Sequence, residues 1–277
     1  MKKNQLIPTH NNIPIIDVFT SELRTYLPLT REYQPVISEK EQQDLLNNLT
    51  NNIDPARFIF LIDGISVKIK FSTGIKEVLG YSDEDFTVAK WLEITHPSHV
   101  IPHWMFGSAM WKLLDTHREM VKFHTIISRY TTALKHADGH YIYFSCDSFI
   151  FQFSKELKAM EFGYVYKISK NFDAEDWNFS LVEKAGIKSD MMTLLIQLKK
   201  ENFYKKKFFT HRQMQVLKSY ANYNEKTIES IAETLKVKKR TVEDYNTEII
   251  KRAKNYFKYD FSNAKEVAQY LKRLQLI

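Results

Sequence analysis

Glycine is scarce in this chain: there are seven among 277 residues, and no two are separated by a single residue. Neither a Gly-x-Gly-x-x-Gly dinucleotide fingerprint nor a Walker-type phosphate loop is therefore present. Cysteine is nearly absent, and Cys146 alone excludes an internal disulfide or a multi-cysteine zinc site. His-Glu-x-x-His and Gly-x-Ser-x-Gly are missing as well. A lone cysteine in a strand-like run is ordinarily a small buried hydrophobe rather than a nucleophile, so no enzymatic activity is expected. Long apolar runs are also lacking. Nothing approaches the ~18 apolar residues of a membrane span, and Pro8, Asp17, Glu22 and Arg24 break up the first 30 residues before a secretory apolar region can form. The expectation is a cytoplasmic protein with no membrane partner.

What is present is charge, placed unevenly. Residues 199–277 carry 19 Lys+Arg against 9 Asp+Glu, whereas residues 1–198 carry 21 against 24, within a chain of net charge +7. A basic excess confined to one end points to a polyanionic partner there. At about 100 to 200 residues per domain, the length allows two domains and an N-terminal extension.

The basic end has helical periodicity. Thr210 is a plausible N-cap before Met214, Leu217 and Ala221, which share one helical face. A second helix is predicted from about Thr227 to Leu235, with Ile228, Ile231, Ala232 and Leu235 on its apolar side, and Val237 available to fill the following turn. Thr241 and Val242 open a third run in which Val242, Tyr245, Ile249 and Ala253, or Ile250, face inward. Its other faces carry Lys238, Lys239, Arg240, Glu243, Asp244, Asn246, Thr247, Lys251 and Arg252, groups of the kind that contact phosphates and base edges. Short lysine runs are ordinarily solvated surface; at the entry of a recognition helix they acquire a role.

The order of Thr210, Arg212, Val216 and Leu217, then Ile231, Ala232, Leu235 and Val237, then Thr241 and Val242 resembles the LuxR/NarL-type helix-turn-helix over about residues 205–277. Lys238 stands where the family usually has Ser, and Glu243 where it usually has Lys, so base preference is not carried over. The loop at Asn222–Lys226 is read as about two residues long. The resemblance implies binding of double-stranded DNA. Arg240, Glu243, Asp244 and Thr247 would approach base edges; Lys238, Lys239, Lys251 and Arg252 would hold the backbone, with Thr210, Arg212 and Thr227 nearer the rim and Thr241 at the helix entry. It also implies a fourth helix used in dimerisation, here the tail from Asn263 with its stripe Val267, Tyr270, Leu271 and Leu274.

Ahead of this, residues 51–56 punctuate the chain. Extended runs are predicted at Phe58–Asp63 and Val67–Phe71, a short helix at Ile75–Leu79, an amphipathic stretch from about Pro102 to His117, and strands at about Val121–Lys135, Tyr141–Phe153 and Met160–Ser169. Asp138-Gly139 is a strong hairpin signal. This order resembles a PAS domain over about residues 57–169, as do Phe71-Ser72, the segment Val78-Leu79-Gly80-Tyr81-Ser82-Asp83-Glu84-Asp85-Phe86, His96-Pro97-Ser98-His99 and the stretch Ala137 to Ile142. His99 stands where the family has Asp. The resemblance implies sensing or partner docking through a central pocket that can take haem, flavin, a small metabolite or nothing. Cys146 lies in a strand rather than in a helical polar motif, so flavin photochemistry is not expected.

His96, His99 and His103 could share one helical face and suit a metal, but Pro97 and Pro102 interrupt the segment, and no metal is expected there. Trp104, Phe106, Trp111, Phe144, Phe149 and Phe151 are read as core. In the connector, Trp177, Phe179, Leu181 and Val182 precede Met191, Met192, Leu194, Leu195 and Leu198, which suit either a signalling helix or a packed linker. Glu39–Leu49 is predicted helical and the residues before it irregular.

The expected fold is α+β: a PAS-like antiparallel sheet domain with helices, plus an all-α four-helix helix-turn-helix domain. The divisions are a partly helical N-terminal extension (1–56), a PAS-like sensor (57–169), a helical linker (170–207) and the DNA-binding domain (208–277). The function these resemblances imply is that of a bacterial transcription regulator, a homodimer on double-stranded DNA with a small-molecule effector in its sensor pocket. The alternative is a module that docks a protein, which Glu243 and Asp244 keep open because acidic groups repel phosphate.

Overall fold

The computed structural model describes residues 15–26, 32–51, 54–116, 126–169, 179–181, 189–205, 207–222, 227–257 and 259–277. Six strands form one antiparallel sheet: β1 (Arg57–Asp63), β2 (Lys68–Thr73), β3 (Ile126–Lys135), β4 (Tyr141–Phe153), β5 (Ala159–Ile168) and β6 (Phe179–Leu181). The order across the sheet is β2-β1-β5-β4-β3-β6. Two strands, helices and a three-stranded meander follow in the order expected from sequence; residues 121–125 of the expected third strand lie outside the described residues.

β1 is an unbroken apolar run, Phe58 to Ile62, and every one of these five side chains is buried. Both faces of the sheet must therefore be covered. Phe58, Phe60 and Ile62 face α3 (Ile75–Leu79), α4 (Val88–Ile94) and α5 (Pro97–Thr116). Leu61 faces the other way, into a smaller cluster with Phe149 and Phe151, closed by Leu45, Leu46 and Leu49 of α2 (Glu39–Thr50). Ser38 starts α2 with a reciprocal capping box to Glu41. Gly163 of β5 lies under this cluster: a Cβ there would fall 2.1 Å from the Phe149 ring, so only hydrogen leaves room for the aromatic.

Three expectations need correcting. The residues before Glu39 are not all irregular, because α1 (Ile15–Tyr26) sets Phe19 and Leu23 into the main core, Phe19 edge-on to Trp91 and Trp111. The linker is not purely helical: β6 pairs with β3 before α6 (Ser189–Lys205) begins. Trp177 and Val182, and the side chains of Met191 and Met192, lie outside what is described. The third correction concerns α5, which runs from Pro97 straight through Pro102. Pro97 sits in the first turn, where no amide donor is needed. Pro102 deprives the Ser98 carbonyl of its donor, and the Tyr270 hydroxyl supplies one from the far end of the chain at 3.0 Å.

The C-terminal helices are α7 (His211–Asn222), α8 (Ile228–Leu235), α9 (Lys239–Phe257) and α10 (Ala264–Arg273). They enclose a second core around Val216, Leu217, Ile231, Val242, Ile249, Ala253 and Phe257. The two cores share helices. Ile101 and Met105 of α5 belong to the second, while Phe106, Ala109 and Met110 face the first; Leu195 and Leu198 of α6 belong to the first, Phe203 to the second.

Candidate nucleic-acid interface

Each C-terminal helix begins where local chemistry places it. Thr210 and Gln213 cap α7 reciprocally: the Gln213 amide donates to the Thr210 hydroxyl at 3.2 Å, and the Thr210 amide to the Gln213 side chain at 2.9 Å. Thr227 caps α8 by accepting from the Ser230 amide at 3.3 Å. Lys236 ends α8 in the left-handed region at φ 54°, letting the Val237 amide turn back to the Ala232 carbonyl at 2.9 Å. That reversal sets the tight turn into α9, with Ala232 and Val237 packed against the core beneath it. Residues 223–226, most of the loop anticipated between α7 and α8, lie outside the described residues.

On α9, the buried stripe is Val242, Ile249, Ala253 and Phe257, with Tyr245 and Ile250 half-buried beside it. Arg240, Asp244, Thr247 and Lys251 recur at offsets of four, seven and eleven on the opposite, exposed side. Glu243 is half-buried on the same side; Lys238, Lys239 and Arg252 are exposed. Thr241 is half-buried, its amide bonded to the Lys238 carbonyl. Thr210, Arg212 and Thr227 are exposed at the starts of α7 and α8.

The basic groups have acidic company. Lys239 pairs with Glu229 of α8 at 2.6 Å, a contact that raises the lysine and lowers the glutamate from their ordinary pKa values. Arg240 lies 3.4 Å from Asp244 and 3.9 Å from Glu243. Arg252 lies 3.8 Å from Glu248 and donates to the Phe208 carbonyl at 3.1 Å, tying α9 to the segment before α7. Such exposed pairs contribute little to stability and exchange readily with another anion.

The stripe anticipated for dimerisation is turned inward. Val267, Tyr270, Leu271 and Leu274 are 0, 7, 0 and 4 % exposed, packed into the chain's own second core. The tail is tied down further: Lys199 Nζ donates to the Leu274 carbonyl, and the Tyr204 hydroxyl to the Leu276 carbonyl at 3.2 Å. Lys199 is fully buried, lies 3.9 Å from the centre of the Phe106 ring, and is pushed down by burial to about 7.

Of the aromatics anticipated as core, Phe106, Trp111 and Phe144 join the main core with Trp104 half-buried beside it, and Phe149 and Phe151 lie on the sheet's other face; the polar groups in that main core were not connected by sequence reading. Trp91 Nε1 donates to the Tyr166 hydroxyl at 3.0 Å, which is 2.7 Å from the Tyr130 hydroxyl. Cys146 is buried beside both tyrosines, and burial pushes its thiol up, which leaves it inert at neutral pH. His99 Nδ1 accepts from the Ala133 amide at 3.0 Å, and His103, edge-on to Trp91 and Tyr130, is lowered by burial to about 4. These two imidazoles do share a helical face, one turn apart, but that face is occupied by the sheet. Next to them a cavity of about 60 Å³ is lined by His103, Trp104, Gly107, Tyr130, Ser128 and Ser148 among others. That is well below the roughly 300 Å³ of common ligand sites, so a group the size of flavin or haem would require the core to open.

Among the described residues no helix is long and apolar enough to cross a membrane. No protein-family model and no curated protein matches this chain. Among solved structures, the crystal structure of the phage VqmA-DPO complex aligns over 84 % of this chain and 89 % of that chain, at 13 % identity and a TM-score of 0.27, a likeness too slight to carry an argument.

Proposed function

We propose that the chain is a DNA-binding transcription regulator in which a PAS-like sensor domain, residues 57–169, controls a LuxR-type helix-turn-helix domain, residues 208–277, through the connector at 170–207. The observation that carries this reading is the exposed side of α9, where Arg240, Asp244, Thr247 and Lys251 line up opposite a fully apolar buried stripe. Lys238, Lys239 and Arg252 flank that row with charge suited to phosphate. Capping uses the acceptor capacity of Thr210 and Thr227 and leaves each hydroxyl hydrogen to donate to a phosphate oxygen. A small effector held in the sheet core, and action in the cytoplasm, belong to the same proposal. The homodimer that a two-fold DNA site calls for has to form without the α10 stripe as it stands, because that stripe is buried.

The test is fluorescence anisotropy of the full chain on random-sequence duplex DNA across a salt series, beside Lys239→Ala with Arg240→Ala. Affinity is expected to fall steeply with salt, the double variant to bind about 10- to 100-fold more weakly, and its salt slope to drop by about one per lost phosphate contact. Unchanged affinity and slope in the variant would refute the assignment. The pairing of Arg240 with Glu243 and Asp244 favours one second reading, docking of a protein partner; binding of a protein that is indifferent to salt, with no DNA binding at low salt, would put it first.

A further inference from the structure

The hairpin joining β3 to β4 holds a cluster that the reading above does not use. His136 and His140 close the turn as a cross-strand pair, the His136 amide donating to the His140 carbonyl at 2.7 Å, with Asp138 at the tip between them. Their rings stack at 4.9 Å, and both Nδ1 atoms converge on one oxygen of Asp138, at 2.9 Å from His136 and 2.5 Å from His140. One ligand atom from each of the three residues lies within 4.8 Å of the others. We propose that His136, Asp138 and His140 form a surface site for a divalent transition-metal ion of the zinc, nickel or copper class.

The donor set decides the class of ion. Two imidazoles and one carboxylate suit borderline cations, whereas calcium and magnesium call for oxygen ligands. Donors bound at about 2.0 to 2.2 Å to one ion sit about 3 Å apart, so the two histidine–aspartate separations need open only slightly, and the two imidazole donors already lie within 4.8 Å of each other. The hairpin fixes the register of the two histidines, and His136 is braced from behind: a Cβ on Gly80, at the end of α3, would lie 3.1 Å from its Nε2, which leaves Nδ1 as the ligating atom. On the other side the site is open, since a Cβ on Gly139 would meet nothing within 4 Å. Water can therefore complete the coordination shell. This site stands apart from α9 and is independent of how the C-terminal helices act.

The experiment is calorimetric titration of the tag-free, chelator-treated full chain with zinc and with nickel chloride, with magnesium chloride as the hard-ion control. The variants are His136→Ala with His140→Ala, the milder His140→Gln, and His211→Ala as a distant exposed-histidine control. One-to-one uptake of zinc or nickel is expected, unchanged in His211→Ala. It should be weakened in the double variant by more than the about 10- to 100-fold that even an outer-shell partner is worth. Zinc should also raise the thermal midpoint of the wild type and of His211→Ala but not of the double variant, a readout that reports site occupancy even where His140→Gln alone retains some binding. Identical isotherms for wild type and double variant, uptake of magnesium equal to that of zinc, or no uptake at all would each overturn the proposal.

Discussion

The two halves of this chain put their polar chemistry on opposite sides of their surfaces. In the sheet half, Trp91, Tyr130, Tyr166 and His99 are buried and bonded to one another or to backbone. In the helical half the interior is almost wholly apolar, and at or near the surface Lys239 pairs with Glu229 while Arg240 pairs with Glu243 and Asp244. A buried network fixes one arrangement and is costly to disturb, because an orphaned donor in a low-dielectric interior loses its full solvation. A network of exposed charges costs little to rearrange, so its partners can be traded for those of another molecule. One half keeps its polar network inside and the other keeps it at the surface.

The largest test of that contrast is Trp91→Ala. It removes a ring that is 1 % exposed and takes the indole donor from the Tyr166 hydroxyl, so a loss of about 3 to 5 kcal/mol is expected in urea unfolding. The exposed pair Lys239→Ala with Arg240→Ala should change stability by less than about 0.5 kcal/mol; a comparable loss in both would erase the distinction. Next comes Lys199, a buried charge at the seam between the halves. Its folded value, about 7, lies below the ordinary 10.5, so the unfolded chain binds more protons between those limits and stability rises with pH across them. Unfolding measured at pH 7 and pH 9 should differ by up to about 1.4 kcal/mol per unit in favour of pH 9. Lys199→Met should flatten that slope, and an unchanged slope would assign it to another group. Tyr270→Phe takes the donor away from the Ser98 carbonyl and should cost about 1 to 3 kcal/mol. Pro102→Ala restores a backbone donor to that carbonyl, so the same tyrosine change made on top of it should cost less; equal costs in the two backgrounds would mean the hydroxyl matters for some other reason.

Much of the architecture was legible in local sequence. Asp138-Gly139 announced its hairpin, the run Phe58–Asp63 its strand, and the periodicities after Thr210, Thr227 and Thr241 their helices, because in each the deciding interactions lie within a few residues. What was not legible depended on distant partners. α1 completes its apolar face only against Trp91 and Trp111, about 70 and 90 residues further on. Reading Pro102 as a helix start followed the local rule, which fails because Tyr270 provides the missing donor. The amphipathic stripe of α10 was visible, but periodicity cannot say whether such a stripe meets a second copy or the chain's own core, and here it meets the core. His136 and His140 went unnoticed because Asp138 and Gly139 between them were read for backbone geometry alone; two imidazoles flanking a three-residue turn, with a carboxylate inside it, was the available signal.

The helix α5 has one side in each core, Phe106 and Ala109 on the sheet and Met105 among the C-terminal helices. Twenty residues of helix make a rod about 30 Å long, and closely packed interiors yield by stepping between arrangements rather than by stretching. The halves are thus geared to each other rather than tethered. The small cavity beside His103 and Gly107 is lined by the same helix on whose Ser98 carbonyl Tyr270 rests.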